Sequence, residues 1–120
     1  MTRHVHIKRA YDQASDADGY RVLVDRLWPR GVRKEDLPYD EWCKNLAPSP
    51  GLRKWFGHKV ENWAQFRDSY ESELRKPEQT DRMRALITAA GGKQITLIYG
   101  AKDPDHNHAL ILAAELNRLY

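Results

Sequence analysis

Cysteine is all but missing from this 120-residue sequence, in which Cys43 stands alone. One thiol excludes an internal disulfide and any paired-cysteine redox or metal centre. It suits a reducing cytoplasm, where the protein is expected, with Cys43 as a small buried apolar residue. Long apolar runs are missing too. The longest, residues 109–114, falls far short of a membrane span, and Arg3 and Lys8 are not followed by the apolar stretch of an export signal, so neither insertion nor secretion is expected. The chain has no glycine-rich phosphate loop and no dinucleotide-binding fingerprint. It also lacks a Cys-x5-Arg or nucleophile-elbow arrangement, which leaves covalent catalysis poorly supported. No repeat, linker or low-complexity tract divides it.

What is present fits one ordinary domain over residues 1–120, long enough to bury well over half of its unfolded surface without metal or disulfide staples. The net charge of +3 is uneven: residues 1–60 carry 12 Lys and Arg against 8 Asp and Glu, and residues 61–120 carry 8 against 9. The positive field belongs to the first half, which suits an anionic ligand such as a phosphate, a nucleotide or nucleic acid, although a small basic excess more often reflects plain solubility.

Periodicity supplies the elements. Residues 4–8 alternate Val5 and Ile7 with polar neighbours and read as a first strand; residues 12–19 read as a polar turn region. A second strand is expected over residues 20–27. Residues 40–47 fit a helix face through Trp42 and Leu46 and also period two through Trp42, Lys44 and Leu46; a short strand is preferred. A short helical turn at residues 52–56 precedes a helix over about 60–75 whose apolar face is Trp63, Phe66, Tyr70 and Leu74. Pro77 opens the next helix, with Met83, Leu86, Ile87 and Ala90 inward and Gly91 and Gly92 ending it. Residues 94–100 are almost continuously β-favouring, as in a central strand buried on both faces. Asp103 is expected to cap a last helix whose first turn is Pro104, Asp105 and His106. Strands separated by helical stretches imply parallel pairing through right-handed crossovers. The expected fold is therefore a small α/β domain with a mostly parallel sheet of about four strands flanked by helices.

Two segments look like a site, because loops at strand ends are where α/β folds build them. The first is Asp25, Arg26, Leu27, Trp28, Pro29, Arg30 and Gly31, where proline and glycine stop regular pairing. Arg26 and Arg30 are placed to converge on one anion, with an Asp25–arginine ion pair that merely holds the turn as the alternative. Trp28 is expected to be free for a ligand, and Trp42, Trp55 and Trp63 to anchor the core. The second segment, from Tyr99 to His108, leads into a helix N-terminus whose unpaired N–H groups suit an anion; Lys102 adds to this, while Asp103 and Asp105 oppose it, and an ordinary capped helix start is the alternative. His106 and His108, two residues apart, point roughly 200° away from each other on a helix, so no shared metal ion is expected. His108 is the better inward hydrogen-bond partner and His106 the better acid or base at the rim. If acid–base chemistry occurs, Tyr99, Lys102, Asp103 and His106 are the candidates.

The run from Asp18 to Gly31, then Ala47-Pro48-Ser49, Leu52-Arg53-Lys54-Trp55-Phe56-Gly57-His58, and Ala101 to Ala109, together resemble the YeaO-like branch of the DUF488 family over nearly the whole chain. The resemblance implies an α/β fold whose two marked loops meet; the family has no established function. Longer members of the wider group carry an Asp-Val-Arg stretch at the second strand and a cysteine-bearing loop ending in Cys-His-Arg. Here those loop positions are Tyr99, Asn107, His108 and Ala109, so thiol, iron or rhodanese-like chemistry is not transferred.

The resulting expectation is a pocket at the C-terminal ends of the strands, built from Arg26, Trp28, Arg30, Lys102, Asn107 and His108, which binds a small phosphorylated or otherwise anionic metabolite. Hydrolytic or transfer chemistry on that ligand is a further option. No cofactor, metal or membrane is implied. The alternative is a non-catalytic nucleic-acid-binding module, favoured if Arg3, Lys8, Arg33, Lys34, Lys54 and Lys59 form one continuous face away from the pocket.

Overall fold

A computed structural model describes residues 4–120. Its sheet has four strands, β1 (Val5–Arg9), β2 (Tyr20–Leu23), β3 (Glu41–Trp42) and β4 (Ile95–Tyr99), in the order β1-β4-β2-β3. Every pairing is parallel: Val5 lies opposite Ile95, Tyr20 opposite Ile95 on the other side, and Val22 opposite Glu41. The helices are α1 (Pro50–Phe56), α2 (Trp63–Leu74), α3 (Pro77–Ala90) and α4 (His108–Leu119).

Strand alternation divides the interior in two. Val22, Val24, Ile95, Leu97 and Tyr99 face one cluster, which takes in Phe56, Phe66, Tyr70, Leu74, Met83, Leu86 and the apolar side of α4. Leu23 and Ile98 face the other, a smaller cluster with Ala10, Leu37, Trp28, Val32 and Trp42. All four helices thus contribute to one side of the sheet, and the other is covered by irregular chain. As expected, β4 is central and buried along its whole length.

The parallel sheet is as read from the sequence, but helices supply only one of its connections. β1 reaches β2 across β4 through a loop pinned by buried Asp18, which accepts from Lys8 Nζ (3.0 Å) and Arg21, while Thr96 Oγ1 donates to the Asp18 carbonyl (2.6 Å). Gly19 follows at φ 68°, where a Cβ would lie 2.3 Å from the Gln94 carbonyl oxygen, so the close crossing demands glycine.

Several boundaries differ from expectation. β2 ends at Leu23 rather than at residue 27, although Val24 N–H still donates to Ile98 O (3.1 Å). The expected short strand within 40–47 is two residues followed by a tight turn. Asp103 does not cap α4, which begins only at His108: Asn107 does, accepting from Leu110 N–H (3.2 Å), while the Asp103 carboxylate holds the preceding loop through Asp105 N–H and His106 Nδ1, each at 2.9 Å. Cys43 is half-buried, and its Sγ donates to Glu41 Oε2 (3.2 Å).

Among the tryptophans, Trp55 is 44% exposed and is no core anchor. Trp63 sits at the edge of the helix-side cluster, 5.9 Å from both Phe56 and Phe66. Being half-buried, Trp63→Ala should cost roughly 1–3 kcal/mol in urea denaturation, less than a full core truncation. A loss above 5 kcal/mol would show that the indole is a central core anchor after all.

Candidate functional site

Where β2 and β4 end, the chain opens into a cavity of about 410 Å³. Its floor joins the two strand-end loops. Asp25 turns back at the end of β2, and its Oδ2 accepts Gly100 N–H from the end of β4 (2.9 Å). His108, in the first turn of α4, donates Nε2–H to the Val24 carbonyl (3.0 Å) and lies 3.5 Å from Asp25 Oδ1. A carbonyl only accepts, so this bond places the proton on Nε2. Burial pushes the Asp25 carboxyl above its usual range, against the pull of His108 and Gly100 N–H; burial holds the His108 imidazole below its usual range, against the pull of Asp25.

Basic side chains reach the walls. Arg26, Arg30, Arg53 and His58 all border the cavity. Arg26 Nη2 donates to the Pro48 carbonyl (3.2 Å) and reaches Ala47 O at 3.5 Å, while its Nε is buried without a partner. Arg30 is solvent-exposed, and its carbonyl accepts Tyr11 Oη–H (2.9 Å). Arg53 projects from α1, whose Ser49 cap is tied to α2 through Glu73 (Oγ to Oε2, 2.6 Å). Beyond α1, Gly57 at φ 54° is followed by His58 at φ 58°, the one non-glycine in the left-handed region among the described residues. Such a conformation is disfavoured for a side chain bearing a Cβ and clusters at functional sites.

Of the residues singled out from the sequence, Arg26, Trp28, Arg30, Asn107 and His108 line this cavity. Lys102, Tyr99, Asp103 and His106 are not brought to its wall. Lys102 is exposed on the loop, Tyr99 is buried in the helix-side core, and Asp103 pairs with His106, whose ring stands edge-on to Trp63 at 5.3 Å. Asp25 pairs with His108 rather than with an arginine. Trp28 lines the cavity but is not free: it packs edge-on against Tyr39 and Trp42, and its Nε1–H donates to Val32 O (2.6 Å).

Sequence reasoning assigned no site role to Arg53, His58 or Tyr11. The first two lie in the Leu52–His58 stretch that carries the family resemblance, and that was the available signal. Among the described residues no group of His, Cys, Asp and Glu is arranged to hold a metal ion, and no helix is long and apolar enough to cross a membrane.

Comparison with known proteins places this architecture. A family model described as the inactive DUF488-N3 subclade matches residues 4–120. The chain is 48% identical over 116 residues to the uncharacterized protein YeaO of Escherichia coli K12, covering 97% of this chain and 99% of the relative. It is 37% identical over 113 residues to the uncharacterized protein Rv3073c of Mycobacterium tuberculosis H37Rv, covering 94% of this chain and 93% of the relative. No solved structure matches. The matched span holds the whole sheet, both strand-end loops and the α1 motif, and the chain belongs to the DUF488 family as a YeaO-like member.

Proposed function

We propose that the cavity binds a small phosphorylated or otherwise anionic ligand and performs no covalent chemistry of its own. The observation that carries this reading is the charge inventory of the wall: three arginines and one carboxylate border the cavity, and that carboxylate is already committed to His108 and Gly100 N–H. Three arginines against one committed carboxylate leave the lining with an excess of positive charge, and the unpartnered Arg26 Nε adds a buried donor in search of an acceptor. The described lining includes no serine, threonine or cysteine to serve as a nucleophile. The family description, which names an inactive subclade, agrees with binding rather than turnover.

The nucleic-acid alternative gains less support. Of the six basic residues expected to form its face, Arg3 lies outside the described residues. Lys8 is bonded to buried Asp18, and Arg33 is flanked by Glu35 and Asp36, each at 3.6 Å.

Phosphate should raise the melting temperature in a saturable way, because a ligand bound only by the folded state stabilises it by about 2.7 kcal/mol at 100 times its Kd. Sodium chloride at equal ionic strength should give no saturable rise. Arg30→Ala should abolish the phosphate effect with the fold intact, and Arg33→Ala should leave it unchanged. Identical responses from Arg30→Ala and the parent would make the arginines structural and end the binding reading.

A further inference from the structure

We propose that the anion is the phosphomonoester of a molecule that also bears a planar aromatic or heteroaromatic ring, and that Tyr11 is the platform on which that ring stacks. This rests on the anion-binding reading above and names the class of ligand.

The cavity's size is the first argument. At about 410 Å³ it lies within the roughly 300–1,000 Å³ of sites that enclose a whole organic molecule. An inorganic anion held by an arginine would leave Leu27, the exposed apolar side chain of the lining, facing water; Pro29, Pro48 and Phe56, which also border the cavity, are already buried. Leu27 is already 63% exposed, the most exposed of the large apolar side chains. A strand-end loop that exposes a leucine on a cavity also bordered by three arginines suits a ligand with an apolar body and an anionic head.

The state of Tyr11 is the second argument. It is 49% exposed, yet it is held from two sides. Its hydroxyl donates to the Arg30 carbonyl (2.9 Å), and the Arg9 guanidinium lies 4.8 Å from the ring centroid. Arg9 is fixed in turn by its Nε–H, which donates to the Ala101 carbonyl (3.0 Å) of the other strand-end loop. An exposed tyrosine gains little burial in return for being ordered, so this anchoring is best matched to a binding role: an aromatic face whose orientation is set in advance loses less entropy when a second ring stacks on it. The anchoring also joins the platform to the cation site, since Arg30 supplies the acceptor for Tyr11 and a side chain to the cavity. Trp28 offers less open ring than Tyr11, because it is half-buried against Tyr39 and Trp42.

Isothermal titration calorimetry of the full chain with inorganic phosphate, ribose 5-phosphate, phenyl phosphate and adenosine 5′-monophosphate tests this. At least one ring-bearing ester should bind about tenfold more tightly than ribose 5-phosphate, the increment expected of one ring-on-ring stack. Tyr11→Ala should erase that increment, so that ring-bearing and ringless esters bind it alike, with a cooperative urea transition showing that the variant is folded. Tyr11→Phe, which keeps the ring and loses only its tie to Arg30, should retain most of it. Equal affinity for ring-bearing and ringless esters overturns the ring assignment and leaves the anion reading standing. A preference that survives Tyr11→Ala overturns the role of Tyr11. No binding of any of the compounds overturns both.

Discussion

Phe66→Ala is expected to cost about 3–5 kcal/mol of folding stability in urea denaturation, the range for truncating a buried aromatic residue. Phe66 is 1% exposed, stacks on Phe56 with centroids 4.2 Å apart and an interplanar angle of 17°, and lies 5.9 Å from Tyr70. It therefore ties α1 to α2, and it is also part of the cavity wall. A domain of this size has a total stability of about 5–15 kcal/mol, so the loss is a large fraction of the whole. Because Arg53 rides on α1, the variant should also weaken the saturable phosphate response even at temperatures where it is fully folded. A stability change under 1 kcal/mol would show that the ring is not a core element. An unchanged phosphate response would show that α1 is positioned by other contacts.

The parts of the fold legible in the sequence are those where one period dominates. β4 reads as buried on both faces because nearly every residue in it is apolar or β-branched, and the α2 face reads correctly because Phe66, Tyr70 and Leu74 repeat at helical spacing. The failures lie where local pattern and tertiary position disagree. Residues 20–24 alternate as a strand should, but Asp25 leaves the ladder to accept Gly100 N–H, a contact 75 residues away in sequence that no local pattern encodes. Asp103 and Asn107 are both sound capping residues, and Asp103 does accept Asp105 N–H; the helix nevertheless starts four residues later, after Asn107, whose amide donates to the Asp103 carbonyl (2.9 Å), which the local sequence does not reveal.

The site was legible to the extent that it sits at strand ends. The two loops were found because residues 25–31 and 99–108 follow apolar strands, and strand ends are where such sites form. Tyr99 was misplaced because it shares a strand face with Ile95 and Leu97, which turns it toward the helices. Arg53 and His58 were invisible to this argument, since they arrive on a short helix and a left-handed turn from a different part of the chain. Arg9 and Tyr11 fall between the expected first strand and the polar turn region and were given no role, and only the fold shows that they hold each other beside Ala101.

Removing the carboxylate at the floor should have the other large effect. Asp25→Ala strips Gly100 N–H of its acceptor and removes the carboxylate beside His108, whose bond to the Val24 carbonyl remains, and leaving the Gly100 donor unpaired should cost about 1–3 kcal/mol. Asp25→Asn keeps an acceptor for Gly100 and isolates the role of charge, which shows in the pH dependence. With His108 held below its ordinary value near 6.5, the unfolded chain binds a proton there before the folded one does, so stability is lost as pH falls from 6.5 toward the lowered value. The Asp25 shift has the opposite sign. Its folded carboxyl keeps a proton to higher pH than the ordinary value near 3.8, so its burial costs stability above the raised value and that cost is relieved as pH falls through the window below it. Between pH 6.5 and 5.5 the histidine effect alone removes at most about 1.4 kcal/mol, one proton over one pH unit. His108→Gln should flatten the acid side of the stability profile by up to that amount. Asp25→Asn should steepen it, because the charge that favours the His108 imidazolium is gone and the ring resists protonation further. Urea denaturation at pH 7.5 and 5.5 measures both, and the same pH dependence in His108→Gln as in the parent would mean that the buried pair does not titrate in this range.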